Sequence, residues 1–331
     1  MNSELVSIQY LDKSRGRGLV AKADFAAGET LLCVPYDIAV LYTPFVRNTC
    51  YRCFEASLEE ENNKNKNELR YECTSCKHLV LCSDCVNELV SEVQEVSPCS
   101  VSADSLLPSQ AHELIQHHRL LQAHRMACGW FCGLPESTRE GDTDYLRFAL
   151  EVASRTLLGD TQLRLALEEL CMNVEQQSKE VRQFFDSFAR KVIDRFRPEG
   201  LDMDVRYLSD ILLRTKFNSI GFPFNEEETL GWTLERVLCM INHSCVPNAA
   251  IVRSNRETSS KITESQAKKS GNCCMKLVAR FPIKAGEEIT IAYIDVDGYG
   301  GDAQARSQQL MESYGFLCKC DLCIASTANK S

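Results

Sequence analysis

The stretch that decides the fold is Asn242-His243-Ser244-Cys245-Val246-Pro247-Asn248. It follows the apolar run Val237-Leu238-Cys239-Met240-Ile241 and precedes the strand-like Ala249-Ala250-Ile251-Val252. A buried element ends there and polar chemistry begins. Pro247 removes a backbone donor and steers Val246 away from helical angles, while the amides of Asn242 and Asn248 can bond neighbouring backbone or a ligand. Taken singly, these are turn residues or an internally satisfied histidine. Taken as seven consecutive residues, they describe a compact binding turn between two apolar segments.

Working outward, the 331 residues, 44% hydrophobic and 25% charged, are ordinary for a globular chain long enough for two domains or one elaborated one. No uninterrupted apolar run reaches about 18 residues, and Met1-Asn-Ser-Glu4 lacks the basic start of a signal peptide. A cytoplasmic or nuclear protein with no membrane contact is expected. In such a reducing compartment 18 cysteines point to metal rather than disulfides. The formal charge of −9 argues against a general nucleic-acid binder and suits a basic peptide partner.

The cysteines come in pairs: Cys50-Tyr-Arg-Cys53, Cys73-Thr-Ser-Cys76, Cys82-Ser-Asp-Cys85, then His124-Arg-Met-Ala-Cys128. Four ligand pairs make two tetrahedral zinc sites. His124 and Cys128, four apart, share one face of a helix within the largely apolar pattern from Ala111 to Cys128. His78, His112, His117, His118 and Cys99 remain as alternative ligands. Near the end, Cys318-Lys-Cys320-Asp-Leu-Cys323 supplies three thiolates, and Cys245 of the heptapeptide is the fourth that would staple this segment over the binding turn. A structural zinc unconnected to the turn is the plainer alternative.

Strands are expected at residues 5–10, 18–23 and 30–34, separated by Ser14-Arg15-Gly16-Arg17-Gly18 and Asp24-Phe-Ala-Ala-Gly28-Glu29, with glycine where a reversal needs positive φ. Residues 59–67 carry no apolar side chain and read as a solvated loop. Helical periodicity covers 145–158, 162–196 and 205–217, capped by Gly141-Asp142-Thr143-Asp144 and stopped by Pro198-Glu-Gly200, with Phe184, Phe185, Phe188, Val192, Ile193 and Phe196 as core. Further strands are expected at 248–253 and 273–280, joined by a polar loop at 254–271. Gly286-Glu-Glu-Ile-Thr-Ile-Ala-Tyr293 is a turn and an alternating strand delivering Tyr293.

The heptapeptide resembles the signature of SET-domain lysine methyltransferases, and the paired cysteines resemble a MYND zinc finger. Their order along the chain resembles the SET and MYND domain (SMYD) protein-lysine methyltransferase family. The resemblance implies an α+β fold: SET-domain β-sheets around a pseudo-knot, split by the finger and a helical insert and closed by a cysteine-rich post-SET zinc motif. It divides the chain into 1–49 (first SET part), 50–128 (finger), 129–215 (helical insert), 216–300 (SET core) and 301–325 (post-SET).

In the finger it pairs Cys50 and Cys53 with Cys82 and Cys85, and Cys73 and Cys76 with His124 and Cys128. The third pair here spans two residues where the family has three, and residues 86–123 intervene before the last pair. The resemblance further implies S-adenosylmethionine bound by Arg15, Arg17, Asn218, Asn242, His243, Tyr293 and Phe316, with Tyr293 beside the transferred methyl and Asn218 on a short strand, Lys216-Phe-Asn-Ser-Ile220; the alternative for Asn218 is a cap ending a helix. Arg17 departs from the small or amide residue often found there. A protein or peptide lysine, on a histone tail or elsewhere, is the implied substrate, and three zinc ions the implied metals. The finger implies a peptide ligand of its own, and the alternative function is a catalytically weak adaptor acting through it. Family members commonly add a helical-repeat domain after the last cysteine; this sequence ends at Ser331.

Overall fold

The computed structural model describes residues 5–54, 70–96, 106–173, 177–223, 229–253 and 274–328. The segments 59–67 and 254–271, and Cys99, lie outside them.

Three small sheets carry the site. β1 (Val6–Asp12) and β2 (Gly16–Ala21) form a hairpin whose turn uses Gly16 at φ +68°, where a side chain would be strained. β2 buries Leu19, Val20 and Ala21 and pairs antiparallel with β12 (Glu288–Ile291), which pairs in parallel with β9 (Asn242–His243). The heptapeptide thus begins as the edge strand of a sheet built from the first hairpin and the last strand. A second sheet orders β10 (Ala249–Arg253), β11 (Cys274–Ala279) and β3 (Thr30–Pro35); a third orders β4 (Ile38–Leu41), β8 (Thr229–Leu234) and β7 (Ile220–Pro223).

Gly231 of β8 faces Leu41 so closely that a Cβ there would lie 1.9 Å from the Val40 carbonyl oxygen and 2.8 Å from the Leu41 Cα. These are backbone atoms of a paired strand and cannot turn aside. Gly231→Ala is therefore expected to cost about 3 kcal/mol, seen as a lower urea midpoint. An unchanged midpoint would contradict this close approach of β4 and β8.

In the cysteine-rich part, β5 (Tyr71–Glu72) and β6 (Val80–Leu81) make a ribbon, followed by α1 (Ser83–Val96), α2 (Pro108–Ile115) and α3 (Arg119–Cys132). The apolar pattern from 111 to 128 is two helices: the first ends at Ile115 with Gln116 as its C-cap, and His118 caps the second by accepting the Leu120 N–H. α3 runs continuously through the expected boundary at 128/129.

The short α4 (Glu136–Arg139) leads to α5 (Asp144–Leu157), which buries Phe148, Ala149, Val152 and Ala153. The expected long helix 162–196 is instead α6 (Thr161–Glu169) and α7 (Lys179–Phe196). Asp160 and Ser178 each cap a new start, accepting the N–H groups of Leu163 and Val181. α7 ends as expected, in the turn Arg197–Glu199 with Gly200 at φ +91°. Of the aromatic residues expected as core, Phe184 is 60% exposed and stacks outward on Phe185 and Phe188. α8 (Val205–Asn218) follows, capped by Asp204. Among the described residues, no helix is long and apolar enough to cross a membrane.

Candidate active site and metal centres

The buried run before the heptapeptide forms the 3-10 turn Leu238–Met240, and β9 then lies beside Thr290 and Ile291. This pairing brings the heptapeptide to Tyr293. His243 Nδ1 accepts the Tyr293 backbone N–H at 2.9 Å, and the Ser244 N–H donates to the Ile291 carbonyl at 3.0 Å. The Tyr293 hydroxyl donates to the Ile241 carbonyl at 2.5 Å, while the Tyr314 hydroxyl donates to the Tyr293 carbonyl at 3.1 Å.

The rings of His243, Tyr293, Tyr314 and Phe316 form one cluster, the closest pair being Tyr293 and Tyr314 at 4.9 Å between centroids. Burial, and next the nearby Cys239, hold the Tyr293 phenol above its ordinary range, so it is a neutral donor at pH 7. Burial, and next Arg306, lower His243 to about 4. Its imidazole is neutral, and because Nδ1 accepts, the network assigns the proton to Nε2, 3.3 Å from Cys245 Sγ. A histidine so placed is neutral and braces the Tyr293 backbone.

Asn242 Nδ2 donates to the Arg17 carbonyl at 3.0 Å and to Glu288 Oε1 at 2.9 Å. Gly18 makes room for it: a Cβ there would stand 2.9 Å from Asn242 Nδ2. Arg15 donates to Asp12 at 2.7 Å and to Glu288 at 2.5 Å, so one carboxylate links it to Asn242. Arg17 crosses to the helical insert, donating to the Glu169 carbonyl at 2.7 Å and lying 3.6 Å from Cys171 Sγ.

Asn218 is not on a strand. It closes α8, its Nδ2 donating to the Cys171 and Arg214 carbonyls at 2.7 Å and its Oδ1 accepting the Cys171 N–H at 3.3 Å. Helical hydrogen bonding persists through Asn218, so the strand expected from Lys216 begins only at Ile220. Cys239 Sγ donates to the Asn218 carbonyl at 2.9 Å, which connects this corner to the turn before the heptapeptide. Arg15, Arg17, Asn218, Asn242, His243, Tyr293 and Phe316 thus belong to one connected region. Sequence reasoning missed Glu288, Cys171 and Tyr314. Only Tyr314 carried a signal, as an aromatic two residues before Phe316.

Three clusters hold their donor atoms within 4.8 Å of one another: Cys50, Cys53, Cys82 and Cys85; Cys73, Cys76, His124 and Cys128; and Cys245, Cys318, Cys320 and Cys323. His78 and His112 are in none of them, nor are His117 and His118. Sulfur separations of 3.6 Å (Cys53 to Cys82), 3.7 Å (Cys73 to Cys128) and 3.6 Å (Cys245 to Cys323) match the edge of a tetrahedron with Zn–S bonds of about 2.3 Å.

The sulfurs in each cluster compete for protons. Hydrogen bonds from Cys128 and Cys76 drive Cys73 far down, and those from Cys50 and Cys53 do the same to Cys82, while Cys85 and Cys128 rise. A divalent cation resolves this competition by taking every sulfur as thiolate. The donor sets therefore fit three zinc ions.

A cavity of about 310 Å³ lies elsewhere, between the finger and α5, lined by Tyr36, His78, Phe131, Leu150 and Glu151 among others. It contains none of the residues around Tyr293, and its inner charges are paired with one another, as in Arg155 with Asp160 and Arg52 with Glu92.

Comparison with known proteins agrees with this architecture. The SET domain family model matches residues 16–294, from the Gly16 turn to just past Tyr293. A SET domain-containing protein of Dictyostelium discoideum is 24% identical over 347 residues, covering 93% of this chain and 79% of that protein. A SET and MYND domain-containing protein of the same organism is 25% identical over 281 residues, covering 84% and 71%. Human N-lysine methyltransferase SMYD2 is 24% identical over 330 residues; the match covers 98% of this chain but 61% of SMYD2. Because one family model spans both halves of the sheet system and the cysteine-rich and helical parts between them, the chain belongs to the SET domain family.

Proposed function

We propose that the protein transfers a methyl group from S-adenosylmethionine to the ε-amine of a protein lysine. The observation that carries this reading is the placement of Tyr293: the neutral hydroxyl of a half-buried side chain, held at the Ile241 carbonyl, one residue from Asn242. S-adenosylmethionine supplies, when bound, a methyl on a sulfonium that an amine can displace in line.

The chain's part is alignment and dehydration. Asn242 and His243 form the floor of the cofactor pocket through backbone and side-chain bonds, Arg15 and Arg17 face its carboxylate end, Asn218 lines the corner towards the helical insert, and Phe316 packs against it from the C-terminal side. The Tyr293 hydroxyl and the Ile241 carbonyl orient the amine, and the surrounding aromatic rings exclude water, favouring the uncharged lysine that can attack. In this reading residues 1–49 and 216–300 are the two SET parts, 50–128 the finger, 129–215 the insert and 301–325 the post-SET cap. The charge of −9 suits a basic segment of substrate, on a histone or another protein. Thiolate zinc sites favour a reducing compartment, cytoplasm or nucleus.

The test is an array of lysine-containing peptides incubated with zinc-loaded protein and methyl-labelled cofactor. Label on particular peptides, abolished by Lys→Arg in the peptide, is expected. Cofactor binding with no peptide or protein labelled would favour the adaptor working through its finger.

A further inference from the structure

Protein interiors are packed so closely that voids larger than a water molecule are few, so the cavity of about 310 Å³ between the finger and α5 is not ordinary packing. Small side chains open it. Ala123 and Ala127 lie one turn apart on α3 and line the cavity together, leaving space between Phe131 on the same helix, Val40 on β4 and Leu150 on α5. Cys76, His124 and Cys128 border it as well, and a zinc ion on them would fill only a small part of it. The volume stands at the lower end of the range of small-molecule sites, about 300–1,000 Å³, which are mostly apolar with a few fixed polar groups.

The charges of the lining cancel in place. Arg155 pairs with Asp160 at 2.7 Å, Arg147 with Asp144 at 2.6 Å and Arg52 with Glu92, while the Tyr51 hydroxyl donates to Glu151 at 2.5 Å. Asp37 accepts the Arg236 N–H at 2.9 Å, and Arg119 is exposed to solvent. A charged guest would have to break one of these pairs to gain its own. His78 differs from them. Its ring leans on Phe131 at 4.9 Å between centroids, and its Nδ1 is enclosed without a hydrogen-bond partner. An enclosed orphan acceptor costs less than an enclosed orphan N–H, so the proton is assigned to Nε2, the nitrogen left to meet the cavity that His78 lines.

We propose that this cavity binds a small neutral aromatic molecule carrying a hydrogen-bond acceptor such as a carbonyl, to which His78 Nε2 donates. The rings of Tyr36, Phe131 and His78 in its wall suit the faces and edges of an aromatic guest. The site is independent of methyl transfer, because none of the residues around Tyr293 lines it. A bound guest touches the finger through His78, β4 through Val40 and α5 through Leu150, and so fastens the finger to the rest of the chain.

The test titrates zinc-loaded protein with Prodan, a neutral acylated aminonaphthalene whose emission moves to shorter wavelength when it leaves water. Saturable binding at one site per chain, with a dissociation constant of about 1–100 μM, is expected, and excess S-adenosylmethionine should not displace the probe. Ala127→Leu, which fills part of the cavity, should weaken binding at least about tenfold. His78→Phe, which keeps a ring and removes the donor, should weaken it about three- to tenfold. Zinc content and far-UV circular dichroism check the fold of each variant, and His78→Phe tests the site even if Ala127→Leu does not fold.

No saturable binding by folded, zinc-replete wild type would overturn the proposal. So would displacement by S-adenosylmethionine, or affinity unchanged in both variants, since either result puts the probe elsewhere, as on the exposed ring of Phe184. Weakening in Ala127→Leu alone would overturn the role of His78 as donor.

Discussion

Tyr293→Phe is expected to lower methyl transfer to a lysine peptide about 100-fold while leaving S-adenosylmethionine binding within about threefold of wild type. The substitution removes one oxygen and keeps the ring. Contacts of that ring with His243 at 5.4 Å, Tyr314 at 4.9 Å and Phe316 at 6.2 Å survive, as does the backbone N–H that His243 accepts. What goes is the hydroxyl at the Ile241 carbonyl, the group proposed to orient the amine. Leaving that carbonyl unpaired also costs stability, on the order of 1–3 kcal/mol, so the melting temperature must be recorded beside the rate. Single-turnover rates would separate the two effects, since a folded variant with wild-type turnover would remove Tyr293 from the chemistry.

Cys245→Ser has the second large effect, through assembly rather than chemistry. Cys245 is the one member of the C-terminal cluster that lies in the heptapeptide, buried and 3.6 Å from Cys323 and 3.9 Å from Cys318. Serine is a poor zinc ligand and cannot replace the thiolate. One zinc of the three should be lost, and cofactor affinity should fall at least about tenfold because Phe316 and Tyr314 are held over the pocket by the same junction. Metal analysis together with a binding isotherm checks both halves. Retention of all three ions would detach Cys245 from the cluster, and zinc loss without a change in cofactor affinity would make the C-terminal site purely structural.

How far the sequence reached follows from the range of the interactions. The Cys-x-x-Cys pairs were legible because two ligands on one turn are a local geometric fact, and the structure groups the pairs in the alternating order that the resemblance implied. His124 and Cys128 could be placed on one helix face by their spacing alone, although the helix begins only at Arg119. The Gly16 and Gly286 reversals were legible because positive φ leaves a chemical trace in the sequence.

Longer-range features were not. The break between α6 and α7 lies in a stretch whose apolar spacing still suits a helix, and Asp160 and Ser178, which cap the two starts, are common polar residues until the tertiary fold selects them. Asn218 was expected to end on a strand, and its helical backbone is fixed by its bonds to Cys171, 47 positions away in sequence. Glu288 joins Arg15 to Asn242 across the sheet, a contact that no local pattern encodes.

The central claim is that the heptapeptide and the Gly16 turn together form a cofactor pocket, and calorimetric titration of zinc-loaded protein with S-adenosylmethionine tests it most directly. Asn242→Ala is the control, because that side chain joins the Arg17 carbonyl to Glu288 in the proposed pocket. Saturable binding with one site per chain, lost or weakened at least about tenfold in the folded variant, is the predicted result. No binding by folded, zinc-replete protein, or equal binding by the variant, would contradict it.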